Sequence, residues 1–274
     1  MGGDKQGAGE GGRALVAKLS QFAPLAKDDV HALERLCARE EQLPAHVDIA
    51  VEGEAPRSAF VITHGMACRY RLLPDGRRQV LGFLIAGDFF DLHVFVLKTM
   101  DHSIATLAPT RLAAIERDAV ISLFELRPRL AAAHWWSALQ DDAIQRERIV
   151  ALGRRDARGR VAYLLCELVW RQTAIGASDG RSVRLPLTQV DLADALGLTP
   201  VHVNRVLQEL RKDGLITLER RRFFLRDVAA LQLIAAFTPG YLHLGGAPAE
   251  LVRYVDRLER RRKAARPTPD PGAP

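Results

Sequence analysis

The chain has 274 residues, with 39 lysines and arginines against 33 aspartates and glutamates and a formal net charge of +6. This length corresponds to one large domain or two ordinary ones, and an apolar fraction of 48% excludes a chain that is disordered throughout. Since no stretch of about 18 residues is uninterruptedly apolar, the sequence predicts no membrane-spanning helix. The N-terminal residues lack the apolar core of a secretory signal, and three widely separated cysteines give no disulfide framework. We therefore expect a cytoplasmic protein with no membrane partner.

The charge is unevenly distributed along the chain. Residues 1–126 contain 14 basic and 17 acidic side chains, whereas residues 127–274 contain 25 basic and 16 acidic ones. A mildly acidic first half joined to a basic second half favours a sensing part followed by a part that binds a polyanion. The alternative is that arginine-rich helices simply expose solvated faces.

The first half has the pattern of a β domain. Residues 1–20 begin with a Gly-rich stretch and are predicted to be disordered, and a short helical pattern follows at 25–36. Apolar residues then alternate with polar ones in short runs that are separated by glycines and by the turn Pro74-Asp75-Gly76. These runs lie at 47–51, 60–62, 68–72, 80–84, 103–107 and 111–115. Short strands at this spacing predict an antiparallel barrel or sandwich of about eight strands.

Beyond residue 115 the period becomes helical. After a short helix over 117–125, a long helix is predicted from about Arg129 to Leu152, where Gly153 interrupts it. One seam along this helix recurs at spacings of three and four residues and consists of Ala132, Trp136, Leu139, Ala143, Arg146 and Val150. A helix of about 24 residues is about 36 Å long, more than one small barrel covers, so the seam favours pairing with a second copy. The alternative is a single helix packed on its own barrel.

The stretch 187–214 predicts two short helices joined by a tight turn. Thr188 and Asp191 have the spacing of a capping box, and the first helix ends at Gly197. Thr199 caps the second helix, with proline at the first helical position. The apolar stripe of the second helix consists of Val203, Val206, Leu207 and Leu210. Two helices joined in this way form the helix-turn-helix unit, whose second helix enters the major groove of DNA.

A basic hairpin follows the second helix. Residues 215–218 and 223–225 have β character and flank the turn Glu219-Arg220-Arg221-Arg222. In a winged helix-turn-helix, such a hairpin lies along the phosphate backbone. Three consecutive arginines beside a capped helix therefore favour DNA binding over a charged turn that serves only solubility.

The order of these parts resembles the cyclic-AMP receptor protein / fumarate-nitrate reductase regulator (Crp/Fnr) family of bacterial transcription factors. The resemblance covers about residues 25–230 and includes the hairpin Pro-Asp-Gly-Arg-Arg-Gln at 74–79, the turn Gly87-Asp88-Phe89 and the segment LTQVDLADALGLTPVHVNRVL. It implies an α+β fold with an N-terminal cyclic-nucleotide-binding-like β-roll, a long dimerisation helix and a C-terminal winged helix-turn-helix. The predicted boundaries are 1–20 for the disordered N-terminus, 21–126 for the β-roll sensor domain, 127–153 for the dimerisation helix, 154–230 for the DNA-binding domain and 231–274 for a C-terminal extension with a disordered end.

The effector positions that the resemblance implies depart from the family's pattern. Aligned through Gly87 and Asp91, the position of the family's ribose-binding glutamate holds Leu92, and its phosphate-binding Arg-Ser pair becomes His102-Ser103. Without that carboxylate and that guanidinium group, the sequence disfavours binding of a cyclic nucleotide.

No cofactor and no metal site are predicted. Ligation of an iron–sulfur cluster generally needs four cysteines, and this chain has three, with no Cys-x-x-Cys. Haem would need a ligand such as His93 or His102, but a lone histidine in a β-roll is more often a hydrogen-bonded structural residue. The β-roll is thus left with an unidentified effector or with no ligand.

The DNA-reading positions of the family fall on the second helix of the helix-turn-helix. They correspond to Pro200 or Val201, to Asn204 and to Arg205, and only the arginine matches the family. Arg205 is expected to bind guanine through O6 and N7, and Val201 could contact a thymine methyl group. The complete predicted DNA-binding set is Thr188, Thr199, Val201, His202, Asn204, Arg205, Gln208, Arg220, Arg221 and Arg222.

The sequence therefore predicts a homodimeric DNA-binding transcriptional regulator on a palindromic operator, controlled by an unidentified signal at the β-roll. RNA polymerase is the expected protein partner if the regulator is an activator. The alternative is a ligand-sensing interaction module whose winged domain docks a protein partner. An enzyme is not predicted, since the sequence contains no hydrolase, zinc-protease or phosphate-loop motif. The basic run at 260–263 could contact phosphates or form a solvated terminus.

Overall fold

A computed structural model of the chain describes residues 12–264, without the side chains of residues 93, 94 and 262–264. The disorder predicted for the two chain ends falls largely outside these residues. The helices are α1 (Arg13–Ser20), α2 (Lys27–Leu36), α3 (Arg117–Leu126), α4 (Pro128–Arg154), α5 (Ala157–Ala174), α6 (Gln189–Leu196), α7 (Pro200–Lys212), α8 (Val228–Ala235) and α9 (Ala249–Ala264). The strands are β1 (Glu41–Leu43), β2 (Asp48–Ala50), β3 (Ala59–His64), β4 (Met66–Leu72), β5 (Arg78–Ile85), β6 (Phe89–Phe90), β7 (Ser103–Thr106), β8 (Thr110–Ile115), β9 (Ser182–Arg184), β10 (Ile216–Glu219) and β11 (Arg222–Leu225). Short 3₁₀ helices span Leu92–Phe95 and Pro239–Leu242.

Strands β1 to β8 form the predicted β-roll from two four-stranded antiparallel sheets. One sheet has the order β1-β8-β3-β6 and the other the order β2-β7-β4-β5. The alternating runs in the sequence correspond to β2, β3, β4, β5, β7 and β8. Strands β1 and β6 have three and two residues, too few to show an alternating pattern.

The N-terminal segment is a correction to the sequence prediction. Residues 1–20 were expected to be disordered, but Arg13–Ser20 form α1, and Leu15 and Leu19 are buried against the β-roll. Gly87 allows this close approach, because a Cβ atom there would lie 2.5 Å from the carbonyl oxygen of Ala14. The short helix was not predicted because it follows a Gly-rich stretch and because its burial depends on strands far along the chain.

The long helix also differs from its prediction in two respects. Gly153 does not interrupt α4, which continues to Arg154. The predicted seam is partly wrong, because Ala143 is buried and Trp136 packs edge-on against His243 of the C-terminal extension. The large apolar residues that α4 exposes are Trp135, Leu139, Ile149, Val150 and Leu152. The outward face of α4 is thus turned by roughly 60° about the helix axis from the predicted seam, and the two share Leu139 and Val150.

The C-terminal half contains the predicted winged helix-turn-helix with one additional strand. The wing is a three-stranded sheet of order β10-β11-β9, in which Phe223 pairs with Val183. A single hydrophobic core runs from the α5–α8 bundle into the β-roll, where it includes Met66 and Phe83. The reader and sensor parts therefore share a packed boundary.

None of the helices within residues 12–264 is long and apolar enough to cross a membrane.

His134 predicts a specific pH dependence of stability. Its ring is buried between Phe89 and Phe124, and burial, together with the charge of Lys18, lowers its pKa from 6.5 to about 4. Because the unfolded chain binds the extra proton first, stability is lost as the pH falls from 6.5 towards 4. We expect His134 to account for a loss of about 2 kcal/mol between pH 7 and pH 5. Urea unfolding at both pH values should show a smaller loss in His134→Phe than in the wild type, and equal losses would contradict this assignment.

Candidate nucleic-acid interface

The helix-turn-helix is built by the caps that the sequence predicted. The Asp191 amide donates to Thr188 Oγ1 at 3.1 Å, and the Thr188 amide donates to Asp191 Oδ2 at 2.9 Å. Helix α6 ends at Gly197, whose φ of 62° lies in the left-handed region that glycine favours. Thr199 Oγ1 accepts from the His202 amide at 3.2 Å and begins α7. Local bonds thus begin and end the two helices, and their apolar faces pack into one core.

Helix α7 buries one face and exposes the other. Its buried residues are Val203, Val206, Leu207 and Leu210. On the opposite face, Val201 is 81% exposed and the Arg205 side chain is 67% exposed. Gln208 is exposed, whereas His202 and Asn204 are half-buried at the edges. The structure therefore places the predicted α7 residues on or beside one outward surface, where Arg205 forms a weak exposed pair with Glu209 at 3.8 Å.

The wing brings two of its three predicted arginines to the surface. Arg220 and Arg221 form the two-residue turn between β10 and β11, with φ of 47° and 63°, and both are exposed. Positive φ at both positions is typical of the type I′ turn, which matches the twist of a hairpin. Arg222 differs, because its guanidinium group donates to Ser182 Oγ at 3.0 Å and ties β11 to β9.

The two threonines of the predicted set serve mainly as caps. The Thr188 hydroxyl donates to Asp191 Oδ2 at 2.7 Å, and Thr199 holds the start of α7. Both residues are exposed at helix N-termini, where backbone amides can face phosphate.

Sequence reasoning missed an ionic contact between the sensor and the helix-turn-helix. Arg78 on β5 donates to Asp191 at 2.6 Å and to Asp194 at 2.8 Å, both on α6. Burial opposes ionisation of Asp191, but its bonds with Thr188 and Arg78 outweigh this effect and lower its pKa. The hairpin at 74–79 is recognisable in the sequence, but a local pattern does not reveal a partner more than a hundred residues away.

A second contact lies deeper and involves four buried charges. Asp88, in the turn before β6, accepts from Lys18 on α1 and from Arg171 on α5 at 3.0 Å. Arg171 also donates to Glu167 at 3.2 Å and to the carbonyl oxygen of Phe83 at 3.1 Å. Burial opposes ionisation of Asp88, but the charges of Lys18 and Arg171 hold its pKa below the usual value. This buried cluster joins α1, the β-roll and α5.

The predicted effector positions are used for internal contacts. His102 Nδ1 lies 2.6 Å from Asp101, and His102 Nε2 lies 3.7 Å from Asp91. Burial opposes the charged imidazole, but the bonds to Asp91 and Asp101 outweigh it and raise the pKa of His102. Ser103 Oγ accepts from the Glu52 amide at 2.9 Å, and Leu92 packs with the apolar cluster around α1. The side chains at these positions thus bond or pack within the β-roll, and the positive charge of the nearby Arg69 acts to lower the pKa of His102.

Two sequence profiles match the chain in the same order as the folded parts. The cyclic nucleotide-binding domain matches residues 40–127, and the Crp-like helix-turn-helix domain matches residues 159–234. Neither profile reaches α9, so the C-terminal extension lies outside both matches.

Similar proteins are transcription regulators rather than enzymes. The nitrogen fixation regulation protein FixK of Azorhizobium caulinodans is 31% identical over 68% of this chain and 74% of its own length. FixK of Bradyrhizobium diazoefficiens is 32% identical over 68% of this chain and 77% of its own. The structure of FixK2 from Bradyrhizobium japonicum superposes with a TM-score of 0.65 at 25% identity and covers 73% of this chain and 98% of that one. The chain therefore belongs to the Crp/Fnr family of DNA-binding transcription regulators.

Proposed function

We propose that two copies of the chain bind an inverted-repeat DNA duplex, with α7 of each copy in the major groove of one half-site. The observation that carries this proposal is the outward face of α7, where Arg205 and Val201 project away from the buried stripe. An exposed arginine can bond O6 and N7 of guanine together, and Val201 can contact a thymine methyl group. Twofold pairing sets the half-site centres about one helical turn apart.

The α4 helix supports pairing of two copies. Regulators of this family act as dimers, and α4 exposes Trp135, Leu139 and Ile149 along one face. These residues recur at spacings that a parallel coiled coil uses, with Asp142 and Arg146 between them. The same pairing would place the two α7 helices side by side on one duplex. We propose that this binding takes place in the cytoplasm.

Control of DNA binding is proposed to pass through the boundary between the sensor and the reader. A signal that shifts β5 would move Arg78 and, through it, Asp191 on α6. A signal that shifts the turn at Asp88 would move Arg171 on α5. We propose no cofactor for the β-roll. If the regulator is an activator, RNA polymerase is its expected protein partner.

Selection of bound sequences from random duplex DNA tests this function. We expect enrichment of an inverted repeat that carries a guanine in each half-site. Absence of any enriched sequence, together with no retention of duplex at low salt, would refute the proposal and favour a protein partner for the winged domain.

The wing should contribute affinity without sequence preference. In the double variant Arg220→Ala/Arg221→Ala, affinity for the selected duplex should fall, since two phosphate contacts per wing are lost. The plot of log affinity against log salt concentration should become shallower by about two units for each wing. Arg253→Ala, an exposed arginine on α9, serves as the control and should leave the slope unchanged. A wing variant with an unaltered slope would show that the turn does not contact DNA.

A further inference from the structure

The C-terminal extension folds back along the long helix of its own chain. After α8, Leu242 accepts a hydrogen bond through its carbonyl oxygen from the side chain of Gln140, and His243 packs against Trp136. Further on, Arg129 donates to Asp256 at 2.7 Å and to Glu259 at 2.9 Å. Helix α9 therefore runs antiparallel to the N-terminal half of α4.

This placement separates the basic end of α9 from the helix-turn-helix. Gly197, at the end of α6, lies beside Leu152 near the C-terminus of α4. Arg129 and Leu152 are 23 residues apart on one helix, which is about 35 Å. Helix α9 can therefore act near the start of α4 but lies far from α7, the recognition helix.

Helix α9 has two different faces. Val255 is buried with Phe22 and Ala133. Tyr254 and Leu258 lie about 60–100° around the helix from Val255, and their exposed fractions are 52% and 37%. Their spacing of four residues gives α9 an exposed apolar stripe. Leu251 is half-buried at the inner edge of this stripe, where α9 meets α4 and the residues just after α1.

The exposed face of α4 needs additional apolar surface to form a stable pair. Between Leu139 and Ile149, the two positions of α4 that would face a partner helix hold Asp142 and Arg146. These side chains pair with each other at 3.3 Å. Charges at such central positions weaken a two-helix seam. Trp135, 60% exposed, lies about 60° around α4 from Ala132, which lines the contact with α9. The exposed apolar residues of both helices therefore flank the contact between α9 and the N-terminal half of α4.

We propose that the stripe of Leu251, Tyr254 and Leu258 is part of the dimer interface, so that the two copies join through a four-helix bundle of two α4 and two α9 helices. This inference rests on the proposed pairing through α4. The occupant of the α9 stripe is a second copy of this chain, because the stripe continues the exposed face of α4 through which the copies meet.

The dimer dissociation constant of full-length variants tests the proposal. In Tyr254→Glu/Leu258→Glu, the constant from sedimentation equilibrium should rise about 100-fold, as expected when central apolar contacts are replaced by charge. Arg253→Glu places a glutamate at another exposed position of α9 and should change the constant less than about threefold. An unchanged constant in the double variant, with a large increase in Ile149→Glu, would overturn the role of α9 and leave pairing through α4 intact. A wild-type chain that is monomeric throughout would overturn both.

Cross-linking tests the same interface without placing charges on α9, so it does not depend on whether the glutamate variants fold normally. The thiols of Cys37, Cys68 and Cys166 are buried, and burial raises the pKa of each to about 12, so an introduced exposed thiol should react first. Chains carrying Trp135→Cys are mixed with differently sized chains carrying Tyr254→Cys and treated with a short bifunctional maleimide. We expect a mixed cross-linked product, whereas Arg253→Cys in place of Tyr254→Cys should give little. Equal yields from the two α9 positions would contradict the bundle.

Discussion

The Arg205→Ala variant should bind its selected duplex about 10- to 100-fold more weakly than the wild-type chain, and its preference for guanine at one position of each half-site should disappear. A bidentate contact from arginine to O6 and N7 of guanine contributes about 1–3 kcal/mol of discrimination against the other bases. Arg205 is available for this contact because its side chain is 67% exposed and its pair with Glu209 is 3.8 Å long. Titration of duplexes with each base at that position measures both effects.

A matched control separates base recognition from general charge. Arg211 is exposed on the last turn of the same helix, so Arg211→Ala removes the same charge from α7. This control should weaken binding to all duplexes to a similar degree and keep the guanine preference. An Arg205→Ala variant with full guanine preference would show that another residue reads the base.

The Asp88→Asn variant should lose about 3–5 kcal/mol of unfolding free energy, the usual cost of removing one partner from a buried ion pair. Asparagine keeps the shape of the side chain and can still accept from the Ile85 amide, which donates to Asp88 Oδ2 at 2.8 Å. What it removes is one of the two negative charges, Asp88 and Glu167, that balance the buried Lys18 and Arg171. Urea unfolding monitored by circular dichroism measures the loss.

An exposed ion pair provides the comparison for Asp88. Glu52 pairs with Arg71 at 2.6 Å, but both side chains are substantially solvated. Glu52→Gln should therefore change the unfolding free energy by less than about 1 kcal/mol. If Asp88→Asn were equally mild, the buried cluster would not stabilise the boundary between sensor and reader.

The parts of the fold that follow from local patterns were predictable from sequence. The capping box of Thr188 and Asp191, the stop at Gly197 and the buried stripe of α7 depend on residues within a few positions of one another. The longer strands of the β-roll were likewise visible, because a half-buried strand imposes a period of two. Such features need no knowledge of distant partners.

The errors arose where a distant segment decides which residues are buried. The predicted seam on α4 included Trp136 and Ala143, and both are covered by other parts of the same chain. Helix α1 followed a Gly-rich start, yet Leu15 and Leu19 are buried by strands far along the sequence. The short strand β9 has three residues, so it showed no period and was revealed only by its pairing with β11.

The candidate site shows the same division. Exposure of Arg205 and the arginine-bearing wing turn followed from helical spacing and hairpin composition. The inward bond of Arg222 to Ser182 and the bonds of Arg78 to α6 did not, because they join segments 40 and more than 100 residues apart. Long-range ion pairs leave no periodic trace in a sequence.

Photo-cross-linking from α7 tests the central claim most directly. Val201→Cys, labelled with a photoreactive maleimide, places the probe on the most exposed apolar residue of α7, while the natural thiols are buried. On the selected duplex, irradiation should modify bases in both half-sites, at two positions separated by about one helical turn. Modification of a single position, or of no base at all, would show that α7 does not lie in the major groove of each half-site.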